Sequence, residues 1–164
     1  MSLKSKLQED LRESLKAQKT VRISTLRLLI SALLNKEIDK RFQLSKKNNN
    51  PVELEKQAIL SDEEIIDLIF FEVKKRKEAI EIFLKGGKTE IAQKEKDEID
   101  ILSEYLPRQL SEQEIEQIVK ETAERLDIND IKAFGLLMKE VSAQVKGKAD
   151  GSLVSAIVKK YLQP

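Results

Sequence analysis

Tyr105-Leu106-Pro107-Arg108-Gln109-Leu110-Ser111-Glu112-Gln113-Glu114 divides the chain. Proline pushes the residue before it out of the α region, so the helix marked by Ile91, Ile99, Leu102 and Leu106 stops here. A few residues on, Ser111 and Glu114 stand at the spacing of a capping box. In that motif the serine oxygen accepts from the backbone N–H three residues on, and the glutamate reaches back to the serine N–H. A stop followed at once by a start predicts a domain boundary, with residues 1–108 on one side and 109–164 on the other.

On the N-terminal side, apolar residues recur at helical spacing. Leu3, Leu7, Leu11 and Leu15 form one stripe; Ile23, Leu26, Ile30, Leu33, Leu34 and Ile38 form another. A third begins at Ile65, Ile66, Ile69, Phe70 and Val73 and continues through Ile80, Phe83 and Leu84. Ser61 and Glu64 make a second capping box. Gly86-Gly87 reads as a helix stop. Ser45-Lys46-Lys47-Asn48-Asn49-Asn50-Pro51 reads as a mobile polar loop.

On the C-terminal side three short helices are expected, near 111–126, 131–145 and 151–162. Their apolar positions are Ile115, Ile118, Val119 and Leu126, then Phe134, Leu137, Met138, Val141 and Val145, then Leu153, Val154, Ile157, Val158 and Tyr161. No sustained alternation suggests a strand, and heptads are not kept up over several repeats. The predicted fold is all-α: an N-terminal bundle of long helices followed by a small three-helix C-terminal domain.

Composition narrows the chemistry. The 164 residues include no cysteine and no histidine, which excludes disulfides, thiolate nucleophiles, His-based triads and His-containing zinc sites. Aromatics make up 4 %, too few for a base-stacking platform. Neither a signal peptide nor a membrane span is visible, so a cytoplasmic location is expected. The net charge is +1, but it is unevenly spread. Residues 1–47 hold 12 Lys/Arg against 5 Asp/Glu, 48–110 hold 10 against 15, 111–130 hold 2 against 7, and 131–164 hold 6 against 2. Both ends are basic and the middle is acidic.

Four segments suggest sites. Ile82 to Thr89 ends in Gly-Lys-Thr like a phosphate loop, but it has isoleucine where that motif needs its first glycine and no strand before it. Glu95 to Asp100, and Glu63-Glu64 with Asp67, are carboxylate clusters. They lack the histidine that di-iron bundles add and read as solvated acidic faces. Lys74-Lys75-Arg76-Lys77 reads as a solvated basic face with glutamates nearby for pairing. Val145-Lys146-Gly147-Lys148-Ala149-Asp150-Gly151-Ser152 stands out most: a glycine between two lysines in a turn, Asp150 or Ser152 able to cap the next helix, and a helix start whose N–H groups suit a phosphate. Together with Lys139, Lys159 and Lys160 these residues are the expected nucleic-acid surface. A Ser–Lys nucleophile would have to come from Ser142, Ser152 or Ser155 beside Lys139, Lys146 or Lys159, and these lysines read as exposed and therefore charged. No catalytic residue, metal or cofactor is expected.

Several stretches resemble one family. Arg22-Ile23-Ser24-Thr25-Leu26-Arg27 with Glu37-Ile38 resembles the first long helix of the GatB/YqeY family, and Arg76 to Phe83 its central helix. Tyr105 to Ser111 is similar to its hinge. Gly135-Leu136-Leu137-Met138 followed by Lys146-Gly147-Lys148-Ala149-Asp150-Gly151 is similar to its C-terminal signature. Against that pattern, residues 41–60 read as an insertion. The resemblance implies a second domain like the C-terminal tail of the GatB subunit of aminoacyl-tRNA amidotransferase, a tail associated with tRNA recognition. The family label, carbon–nitrogen ligase with glutamine as amido-N-donor, describes chemistry held by other domains of that enzyme. The expected function is a non-catalytic tRNA- or RNA-binding module, accessory to transamidation. The expected partners are tRNA and a translation or amidotransferase protein, with no membrane contact. A helical protein–protein adaptor is the alternative.

Overall fold

The computed structural model describes residues 2–47 and 50–163. Every regular element among them is helical: α1 (Leu3–Lys16), α2 (Thr20–Ser45), α3 (Pro51–Ala58), α4 (Asp62–Lys85), α5 (Thr89–Ser103), α6 (Glu112–Arg125), a 3-10 turn (Ile131–Ala133), α7 (Phe134–Gln144) and α8 (Gly151–Leu162). These elements form two compact units, Met1–Tyr105 and Leu106–Pro164.

In the first unit α2 touches α1, α3, α4 and α5. Its Leu26, Leu29 and Leu33 are sealed from solvent, as are Leu7 of α1, Ile65 and Ile69 of α4, and Leu102 of α5. Removing one such leucine side chain typically costs about 2–5 kcal/mol, so these residues dominate the unit's stability. The apolar stripes need correction here. Leu29 is buried although the expected stripe passes over it, while Leu15, Leu34, Ile38, Leu84 and Ile91 are largely exposed. Isoleucine and leucine occupy so much of the circumference of α2 that period alone does not select one face.

The helix ends obey local rules. Both capping boxes close: the Ser61 N–H donates to Glu64 Oε2 at 2.8 Å and the Glu64 N–H to Ser61 Oγ at 3.3 Å, and the Ser111–Glu114 pair repeats this at 2.8 and 3.2 Å. Hydrogen bonds from Lys40 and from the Ser61 backbone hold the Glu64 carboxyl below the usual carboxylate range. The phosphate-loop look-alike is a helix stop. The Gly87 N–H donates to Leu84 O at 3.1 Å, the Lys88 N–H donates to Phe83 O at 2.8 Å, and Gly87 has φ +70°. A Cβ at Gly87 would meet open space, so only the left-handed backbone opposes a side chain there. The exchange Gly87→Ala is expected to cost about 1–2 kcal/mol in a urea titration. A cost below about 0.5 kcal/mol would mean that this turn relaxes freely.

The expected loop at 45–51 holds a helix start. Asn50 Oδ1 accepts from the Val52 N–H at 3.1 Å, and Pro51 is the first residue of α3, where its missing N–H costs nothing. Asn48 and Asn49 lie outside the described residues.

Two charged segments read as solvated are instead partly structural. Arg76 is only 9 % exposed. Its Nε donates to Glu98 of α5 at 2.9 Å and its Nη1 to Glu72 at 2.9 Å, with Glu95 at 4.0 Å. So Arg76 faces inward, and Glu95 and Glu98 turn toward it rather than toward water. The first unit ends with a second network. Tyr105 Oη donates to Asp10 at 2.6 Å and accepts from Arg22 Nη2 at 3.0 Å, and Arg22 Nη1 forks onto Glu104 at 2.7 and 2.8 Å. Burial and the Asp10 bond push the Tyr105 phenol above its ordinary range.

In the second unit α6, α7 and α8 share one core of Ile115, Val119, Ala123, Ile128, Leu137, Val141, Val145, Val154, Ile157, Val158 and Leu162. Ile118, Leu126, Phe134, Met138 and Tyr161 pack against it. Leu153 is the one expected core position left largely open. The helix expected near 131–145 begins as a single 3-10 turn that leads into α7, with Asp130 Oδ1 accepting from the Lys132 N–H at 3.0 Å.

Candidate nucleic-acid interface

The turn between α7 and α8 is built from three backbone constraints. The Lys148 N–H donates to Val145 O at 2.9 Å, the Leu110 N–H donates to Lys148 O at 2.8 Å, and Gly147 takes φ +74°, a conformation that suits glycine. The segment before α6 thereby clasps the turn, and Gln109 Nε2 reaches Gly147 O at 3.4 Å. Lys146 and Lys148 are both exposed on a turn held by backbone hydrogen bonds.

The start of α8 is already occupied. Asp150 Oδ1 accepts from the Ser152 N–H at 2.7 Å. That carboxylate, one of the two caps the sequence offers, takes one N–H of the helix start, and its charge opposes an approaching phosphate. Any phosphate contact here falls to the lysine side chains.

The other expected residues are spread out. Lys139 is exposed on α7, and Lys159 and Lys160 are exposed in the last turn of α8. Along α8 they lie roughly 12–14 Å from Gly151 at about 1.5 Å per residue. Lys146, Gly147 and Lys148 thus come together, while Lys159 and Lys160 sit at the opposite end of α8. Lys160 Nζ also pairs with Glu116 of α6 at 3.2 Å, in an exposed geometry worth little. No hydrogen bond among the described residues joins Ser142, Ser152 or Ser155 to Lys139 or Lys159.

Charge separates by helix in this unit. α6 carries Glu112, Glu114, Glu116, Glu121 and Glu124, whereas Lys139, Lys146, Lys148, Lys159 and Lys160 lie on α7, the turn and α8. Backbone and hydroxyl bonds from Ser111 hold the Glu114 carboxyl below its ordinary value, so it stays charged. Between α6 and α8 lies a groove of about 500 Å³, floored by Val119, Ile157 and Tyr161 and rimmed by Glu116, Lys120 and Lys160. Nothing in the sequence singles out Lys120, because a lone lysine in an acidic helix gives no signal. Among the described residues no group of three or more acidic side chains is placed to hold a metal ion, and no helix is long and apolar enough to cross a membrane.

Comparison with known proteins gives consistent matches. The family described as "Yqey-like protein" matches residues 4–162. "Altered inheritance of mitochondria protein 41, mitochondrial" of Lachancea thermotolerans is 31 % identical over 100 residues, 61 % of this chain and 46 % of that protein. The protein of the same name from Pyrenophora tritici-repentis is 25 % identical over 96 % of this chain and 79 % of its own length. A glutamyl-tRNA(Gln) amidotransferase subunit of Thermococcus sibiricus is 37 % identical over 100 residues, 58 % of this chain and 15 % of that protein. The chain therefore spans about half the length of the first of these relatives and a small part of the amidotransferase protein.

Proposed function

The chain belongs to the Yqey-like protein family, and from that premise we propose that it is a non-catalytic tRNA-binding module accessory to tRNA-dependent amidation. In this reading residues 109–164 are the recognition domain, a three-helix unit like an amidotransferase tail, and residues 1–108 are a helical bundle that carries it. The observation that carries the proposal is the charge division of the second unit, with acidic α6 set against lysines on α7, α8 and the turn between them. The similarity to a small part of a glutamyl-tRNA(Gln) amidotransferase subunit supports a shared module rather than a shared reaction. A cytoplasmic location is part of the proposal; two relatives carry mitochondrial names, so the family is not confined to that compartment.

Binding to bulk tRNA, followed by fluorescence anisotropy at two salt concentrations, tests this reading. If three lysines neutralise phosphates, raising salt from about 0.05 M to about 0.2 M should weaken binding roughly 20- to 40-fold. No binding at the lower salt would favour a protein–protein adaptor, for which the acidic face of α6 would be the contact.

A further inference from the structure

Beyond Leu33, α2 carries apolar side chains that the described residues leave about half open. Leu34, Ile38 and Phe42 recur every four residues along it, and the α3 segment adds Val52 and, just past the helix end, Ile59. All five are between 47 % and 62 % exposed. Two hollows of about 370 and 280 Å³ lie along α2 and α3, and Ile38, Arg41 and Glu55 line both. Five large side chains open by about half leave on the order of 500 Å² of apolar surface, near the upper limit for a monomer's largest patch. That is most of the roughly 800 Å² per partner that a stable interface buries.

The charges beside the hollows are informative. On this half of α2, Glu37 pairs with Lys4 at 2.7 Å and Lys40 with Glu64 at 2.8 Å. Arg41 and Glu55 line both hollows yet have no ion pair or hydrogen bond among the described residues. One uncommitted cation and one uncommitted anion on a single apolar face make it self-complementary under a two-fold rotation, because turning Arg41 onto Glu55 satisfies both pairs at once. A lipid surface would instead strand Glu55 against acyl chains or anionic headgroups.

We propose that the α2–α3 face is the contact of a two-fold homodimer, with the apolar stripe of each copy lying in the hollows of the other and Arg41 of each copy meeting Glu55 of its mate. This inference is independent of tRNA binding.

Analytical ultracentrifugation of the full chain across micromolar concentrations, with circular dichroism to verify folding, tests it. The parent should sediment as a dimer and Ile38→Glu as a folded monomer. Arg41→Glu and Glu55→Arg should each raise the dissociation constant about 10-fold or more, and the two together should bring it back near the parent value, as expected for a direct charge pair. The proposal is overturned by a parent that stays monomeric up to about 100 µM, by a dimer indifferent to Ile38→Glu, or by a charge swap as weak as the single changes. A monomeric parent that co-sediments with phosphatidylcholine vesicles would overturn it as well and would assign the face to membrane.

Discussion

Replacing Arg76 with alanine should lower the unfolding free energy by about 3 kcal/mol, the largest single-site effect expected outside the apolar core. The guanidinium sits on α4 with its side chain 10 % exposed, bonded to Glu72 on its own helix and to Glu98 on α5. Truncation removes the positive charge and leaves two carboxylates, 12 % and 20 % exposed, facing the space it held. Unpaired buried charge costs about 3–5 kcal/mol, and the partial exposure of the glutamates puts this site at the lower end. Lysine should recover only part of the loss, because an ammonium cannot fork between two carboxylates on different helices as guanidinium does. The pH dependence has a definite sign. Burial raises the Glu72 carboxyl, but hydrogen bonds from Lys75 and Arg76 outweigh it, so its folded pKa lies below the ordinary value. Its contribution is therefore present above the unfolded value near about 4.3 and is lost as pH falls through the folded one. In Arg76→Ala the Glu72 carboxylate loses the Arg76 hydrogen bond and gains from protonation, so the gap between parent and variant should narrow below about pH 4. Urea titrations at neutral pH and in acid measure both effects. A neutral-pH cost under about 1 kcal/mol would show that Arg76 behaves as an ordinary surface residue.

Arg76 also shows what the sequence does not display. Inside Lys74-Lys75-Arg76-Lys77 it is one basic residue among four, and it is distinguished only by Glu98, 22 positions away on another helix. Helix period cannot show such a partner. What is legible follows rules confined to a few residues: the Ser61 and Ser111 boxes, the Gly86-Gly87 stop, and the apolar positions of α6, α7 and α8, where short helices leave one clear face. The second half of α2 misleads for the opposite reason. Leu34 and Ile38 keep the helical spacing of core residues, yet they lie beyond the stretch of α2 that holds its buried leucines. α3 is hidden because Asn50-Pro51 reads equally as a turn or as a cap with a first-position proline. For the candidate interface, the sequence names lysines but not their arrangement. The sequence groups six residues as one surface, whereas the structure keeps Lys146 and Lys148 together and sets Lys159 and Lys160 at the far end of α8. The sequence also offers the α8 start both to a phosphate and to an Asp150 or Ser152 cap, and Asp150 is the residue that caps it.

Because Asp150 occupies the helix start, tRNA affinity at this turn should depend on Lys146 and Lys148, and reversing both charges is the sharpest test of the proposed function. Removing one lysine–phosphate pairing takes roughly 0.7 to 0.9 from the slope of log affinity against log salt. Removing two should flatten the slope by about 1.4 to 1.8, which near 0.1 M salt corresponds to on the order of 30-fold weaker binding, or about 2 kcal/mol. Lys146→Glu with Lys148→Glu should fall further, since each glutamate adds repulsion where attraction stood. The fold should survive, because both side chains are exposed and the turn is held through backbone groups, Lys148 O on the Leu110 N–H and Lys148 N–H on Val145 O. Helical circular dichroism of the double variant should match the parent, which separates impaired recognition from impaired structure. The slope is more telling than the affinity alone. A general drop in net charge would weaken binding while leaving the number of released counterions nearly unchanged, whereas deleting two local phosphate pairings lowers that number by about two. Lys159→Glu with Lys160→Glu serves as the internal comparison. It makes the same change in charge at the other end of α8, where Lys160 is already paired with Glu116, and should move the slope less. If the turn variant binds tRNA with the parent's affinity and slope, the turn is not the binding surface, and the basic block of residues 1–47, with 12 Lys/Arg against 5 Asp/Glu, becomes the one to test.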